Sequence, residues 1–145
     1  NCCNWLLSRS IKKKMKIRHL GIAVDSIEER LPIWESFGLK LHHTEEVDSE
    51  GVTTAHLKVG GYEIELLEPM GKDTPVGKFI DKKGPGIHHL ALEVDDIEES
   101  LVKAKKNGLE PIGEAPRSGA DNTLVAFFHP KDTGGVLLEI VQCKN

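Results

Sequence analysis

A chain that carries one pattern twice must fold as two like units, and here the pattern is strong. Sliding the sequence by 70 residues sets Ile17-Arg18-His19-Leu20-Gly21-Ile22-Ala23-Val24-Asp25 over Ile87-His88-His89-Leu90-Ala91-Leu92-Glu93-Val94-Asp95. At the same offset Ile27-Glu28-Glu29 meets Ile97-Glu98-Glu99, Leu31 meets Leu101, and Gly38-Leu39 meets Gly108-Leu109. Eleven positions between 17 and 39 are identical: 17, 19, 20, 24, 25, 27, 28, 29, 31, 38 and 39. Chance would give about one or two, so the match marks a duplicated module.

Each copy reads alike. Residues 17–24 and 87–94 are rich in aliphatic and β-branched side chains and predict strands. Asp25 or Ser26, and Asp95 or Asp96, suit a helix N-cap, with Glu28-Glu29 and Glu98-Glu99 in the first turn. Ile27, Leu31 and Trp34, like Ile97, Leu101 and Ala104, share one helical face, and Gly38 and Gly108 fall where a left-handed cap belongs. Three strands follow in each copy, about 39–47, 52–59 and 62–68, then 109–114, 123–129 and 136–142. The link 69–86 predicts a short helix around 75–82. The fold class is therefore α+β: two tandem βαβββ modules, about 15–69 and 85–145.

The metal expectation comes from the same symmetry. A four-residue insertion raises the offset to 74 at the last strands, where Gly61-Tyr62-Glu63-Ile64-Glu65-Leu66 meets Gly135-Val136-Leu137-Leu138-Glu139-Ile140. His19 thus pairs with His89, and Glu65 with Glu139. Glu139 stands between Leu138 and Ile140 on a strand that reads as buried. A lone buried carboxylate is costly unless paired, protonated or bound to a metal. Imidazole and carboxylate without thiolate suit a divalent ion such as Co, Mn, Ni, Zn or Fe. His42, His43 and His56 lack partners in the other repeat and read as surface residues. His88 pairs with Arg18 and is expected to point away from the ligands, and His129 reads as structural.

Net charge of −4 and a pI near 6.0 argue against general nucleic-acid binding. The longest apolar runs fall far short of the ~20 residues of a membrane span. Residues 1–14 carry Arg9, Lys12, Lys13 and Lys14 with no acid, match nothing downstream, and read as a disordered extension to a single domain over 15–145. Cys2, Cys3 and Cys143 form no disulfide framework, so a reducing, cytoplasmic setting is expected.

Paired βαβββ modules with His and Glu on first and last strands resemble the vicinal oxygen chelate superfamily, which includes glyoxalase I, extradiol dioxygenases and fosfomycin-resistance proteins. Three stretches resemble its methylmalonyl-CoA epimerase family: Gly60-Gly61-Tyr62-Glu63-Ile64-Glu65-Leu66-Leu67-Glu68-Pro69, Gly84-Pro85-Gly86-Ile87-His88-His89-Leu90-Ala91, and His129-Pro130-Lys131-Asp132-Thr133-Gly134-Gly135-Val136-Leu137-Leu138-Glu139. The resemblance implies that the two modules form a curved eight-stranded mixed sheet around a central metal site, with ligation by His19, Glu65, His89 and Glu139 and Co as the first-choice divalent metal ion. It implies interconversion of (R)- and (S)-methylmalonyl-CoA by removal and return of the α-proton through a metal-stabilised enolate. Family members often carry glutamine at the second ligand position, where Glu65 adds a negative charge.

Glu139 is the first expected base. Thr54 stands where some members have a glutamate on the third strand, and Glu50 is the substitute candidate for the second base. Arg117, in the small-residue loop 116–120, and Lys131 are expected to hold the anionic end of an acyl-CoA substrate, with Lys72, Lys78, Lys82 and Lys83 next in line. A homodimer is expected. The competing expectations are a lactoylglutathione lyase-type isomerase and a non-catalytic module that sequesters a ligand.

Overall fold

The computed structural model describes residues 15–119 and 121–144; the expectation for residues 1–14 lies outside them. The elements run β1 (Lys16–Ala23), α1 (Ile27–Glu35), β2 (Lys40–Val47), β3 (Val52–Val59), β4 (Tyr62–Pro69), α2 (Pro75–Lys83), β5 (Gly86–Glu93), α3 (Ile97–Lys106), β6 (Arg117–Gly119), β7 (Thr123–Phe128), α4 (Pro130–Thr133) and β8 (Leu137–Cys143). The strands form one eight-stranded mixed sheet in the order β2-β3-β4-β1-β5-β8-β7-β6. β1 runs parallel to β4, whereas β2–β3, β3–β4, β6–β7 and β7–β8 are antiparallel.

The chain divides into two compact units, His19–His89 and the described residues outside it. Within the first, strand alternation sorts the side chains. Ile22, Val24, Ala55, Leu57, Ile64 and Leu66 pack against Ile27, Leu31 and Trp34 of α1. The opposite face receives His19, Gly21, Thr54, His56, Glu63 and Glu65, because the register sets Gly21 and His56 opposite Glu65. Ala23, Val52 and Leu67 close the end of that face under Val76, Phe79 and Ile80 of α2. In the second unit Ala126, Phe128, Leu138 and Ile140 pack with Ile97, Leu101 and Ala104 of α3. Val125, Phe127, Glu139 and Val141 take the other face.

Both helices start as the duplication requires. Ser26 Oγ accepts from the Glu29 amide at 3.2 Å, and Asp96 Oδ1 accepts from the Glu99 amide at 3.1 Å. A second cap was hidden from local reading: Glu68 Oε1 accepts the Ile27 amide and Gln142 Oε1 the Ile97 amide, each at 2.8 Å. Past the helices Gly38 and Gly108 hold φ of +94° and +81°, which side chains rarely adopt.

One strand expectation fails. Residues 109–114 form no strand, and the edge strand β6 begins only at Arg117. Pro111 and Pro116 lack the N–H a ladder needs, and the Ile112 amide reaches Phe127 O alone, at 2.7 Å. Arg117 therefore lies on a strand rather than in a loop.

Candidate metal centre

Three expected ligands meet within the His19–His89 unit. β1 projects His19, β4 projects Glu65, and β5 brings His89 to the same place. His19 Nε2 lies 2.9 Å from His89 Nε2 and 3.5 Å from Glu65 Oε2. Donors bound at ~2.1 Å to one divalent ion sit roughly 3.0–3.4 Å apart, so the spacing fits an octahedral or tetrahedral centre. The histidine rings meet edge to face, 86° apart, with their Nε2 atoms turned to each other.

Gly21 makes this approach possible. A Cβ at Gly21 would lie 2.2 Å from His89 Cε1 and 2.3 Å from Nδ1, so the imidazole occupies the space a side chain would fill. His89 is only 9% exposed. Burial, with help from His19 and His88, pushes its pKa down to about 3. His89 is thus neutral at pH 7, the form that ligates.

His88 corrects an expectation. Rather than standing apart, it brings Nδ1 to 3.1 Å from His89 Nδ1 and sets its ring edge-on to Phe79. Burial lowers its pKa too. A neutral His88 nitrogen accepting the His89 Nδ1 proton leaves Nε2 bare toward His19, the outer-sphere arrangement that orients ligating histidines.

His56 is the second correction. It is half-buried, not a surface residue: Nε2 lies 2.9 Å from Thr54 Oγ1, and Nδ1 3.8 Å from Glu63 Oε2. Burial works against its charge, but the Glu63, Glu65 and Glu45 carboxylates prevail and raise its pKa. The repeat concealed it because it has no histidine counterpart. The alternation Thr54-Ala55-His56-Leu57, polar on one face and apolar on the other, was the signal available.

In the other unit Glu139 is buried on β8, 8% exposed, with Phe127 opposite it on β7. Arg117 shares this face, since it pairs with Val125 and Val125 with Val141; its guanidinium lies 5.1 Å from the Phe127 ring centre. Lys131 is exposed on α4, whose first turn is capped by His129 Nδ1 accepting from the Lys131 amide. His129 is structural, as expected. Glu50 is exposed in the β2–β3 turn, six residues from His56 along the chain, or about 20 Å at strand rise. The structure does not bring it to the His19–Glu65–His89 cluster.

The model of the glyoxalase/bleomycin resistance protein/dioxygenase superfamily matches residues 18–127. The chain belongs to that superfamily. Within it the chain is of the methylmalonyl-CoA epimerase type. It is 33% identical to the mitochondrial methylmalonyl-CoA epimerase of Homo sapiens over 129 residues, 88% of this chain and 73% of that protein. A solved hypothetical protein from Bacillus halodurans superposes with a TM-score of 0.85 at 45% identity, covering 92% of this chain and 97% of that one. A methylmalonyl-CoA epimerase solved with methylmalonyl-CoA and NH4+ superposes with a TM-score of 0.80 at 32% identity, covering 89% and 94%. The superfamily assignment accords with the duplicated modules.

Proposed function

We propose that the protein is a metal-dependent epimerase that interconverts the two configurations of methylmalonyl-CoA. The observation that carries this is the His19–Glu65–His89 cluster, in a chain similar over most of its length to proteins of that activity. His19, Glu65 and His89 would hold a divalent ion, Co by first choice, with Glu139 as the fourth ligand. Such an ion supplies Lewis acidity toward the thioester oxygen when bound.

The chain's residues supply the rest. Glu139, screened from water, takes the α-proton of the acyl group at a carboxylate oxygen, and a solvent-derived proton delivered to the opposite face of the resulting carbanion completes the inversion. Burial keeps His89 neutral, and His88 orients it by accepting a hydrogen bond from its Nδ1–H. Arg117 and Lys131 hold anionic groups of the acyl-CoA, the former stiffened by its seat on Phe127. A cytoplasmic homodimer completes the proposal.

The test is exchange of the α-proton of methylmalonyl-CoA in heavy water, with and without added Co. Exchange that depends on Co, and that disappears in His19→Ala and His89→Ala, is the expected result. Glu139→Gln should lose at least ~100-fold in exchange rate, the usual scale of a proton-transfer group, while binding Co within about tenfold of wild type. Absence of exchange, with turnover of the methylglyoxal–glutathione adduct instead, would replace this reading with lyase chemistry.

A further inference from the structure

A second group of metal-ligating side chains lies one strand over, on the β2–β3 hairpin. His43, Glu45 and His56 each offer one ligand atom, and the three atoms lie within 4.8 Å of one another. The hairpin register explains the meeting. His43 stands opposite His56, and Glu45 opposite Thr54, so all share one face. The His43 and His56 rings stack at 4.0 Å, 10° from parallel.

His56 is set up as a ligand on both edges. Its Nε2 edge is turned toward Thr54, the residue opposite Glu45. Its Nδ1 is buried without a hydrogen-bond partner, yet faces the Glu63 carboxylate at 3.8 Å. A histidine between a metal position and an outer carboxylate is the arrangement that fixes ring orientation and raises ligand basicity. His43 and Glu45 are exposed on an edge strand; His43 turns out of the stack so that one ion can lie in both ring planes, and the donors close the ~1.4 Å at most that separates 4.8 Å from the ~3.4 Å of donors on one ion.

We propose that His43, Glu45 and His56 form a second divalent-metal site, suited to Zn, Co, Ni or Cu by its two imidazoles and one carboxylate. Binding exchanges the His56–Thr54 hydrogen bond for a metal bond, and Thr54 Oγ1 keeps the Glu45 carbonyl at 3.4 Å. The ion would clip edge strand β2 to β3. The site uses none of the residues proposed for epimerisation and does not rest on that reading.

Titration of the metal-free full chain with Zn, followed by calorimetry, and with Co, followed by visible absorption, tests it. Two equivalents should bind to the wild type. His43→Ala and Glu45→Gln, both at exposed positions, should weaken one equivalent at least tenfold and leave the other unchanged. Glu63→Gln should weaken the same equivalent by about tenfold, the usual effect of removing an outer carboxylate. His19→Ala should lose only the other equivalent. A single equivalent that His43→Ala leaves unchanged overturns the proposal. A single equivalent lost in His43→Ala but kept in His19→Ala supports it and instead overturns the epimerase metal centre. Zn should also raise the melting temperature of the wild type more than that of His43→Ala, and equal shifts would count against the clip.

Discussion

Gly21 and His89 share one small volume, and that sharing sets two expectations at the residue scale. Gly21→Ala places a methyl 2.2 Å from the imidazole, so the ring must swing away from His19. Overpacking of this kind costs roughly 1–3 kcal/mol, which leaves a folded protein. Co affinity at the His19–Glu65–His89 cluster should fall at least tenfold by calorimetry; unchanged affinity would mean the ring has another resting place. The second expectation concerns acid. Folded His89 refuses a proton until about pH 3, whereas the unfolded chain takes one near 6.5. Between those values the unfolded state binds more protons, so stability falls as pH drops. His88 acts in the same direction, and His56, with its raised pKa, in the opposite one. The urea midpoint of metal-free protein should therefore fall between pH 7 and 5, and His89→Gln should flatten that fall.

At the scale of elements, the helix starts carry a prediction the two modules should answer alike. Glu68 and Gln142 reach from β4 and β8 to the first amides of α1 and α3. Removing either acceptor by an alanine substitution should cost about 1 kcal/mol in denaturant unfolding. Glu68→Gln should be nearly neutral, because an amide oxygen already does the same work at Gln142. The repeat made α1, α3 and seven of the strands legible, since identical apolar spacing recurs in both copies. It misled where the copies diverge: residues 109–114 follow the first module's pattern in apolar content, but Pro111 has no N–H to give a ladder. The same holds for the site. His19, Glu65 and His89 were legible because their types recur at fixed offsets, whereas His56 and His88 were not. What those two residues do depends on neighbours across strands, Thr54 and Glu63 for one and Phe79 for the other, and no offset encodes that.

Charge is a property of the whole molecule, and it works against the proposed substrate. The chain carries a net charge of −4, and its residues 15–145 hold 15 basic and 23 acidic side chains, a net of −8, so an anionic acyl-CoA is repelled at long range. Capture must fall to local cations. Arg117→Ala and Lys131→Ala should raise KM several-fold with little change in kcat, and the difference should shrink as salt rises. Equal KM values at low salt would move the anion contact to the cations of the 69–86 link. The duplication itself has a further consequence. It copied one glutamate into two equivalent strand positions, but drift has since given them unlike company. His56 stands across from Glu65, and Phe127 across from Glu139. Two glutamates at equivalent positions thus keep unlike neighbours across the ladder without either strand changing its course.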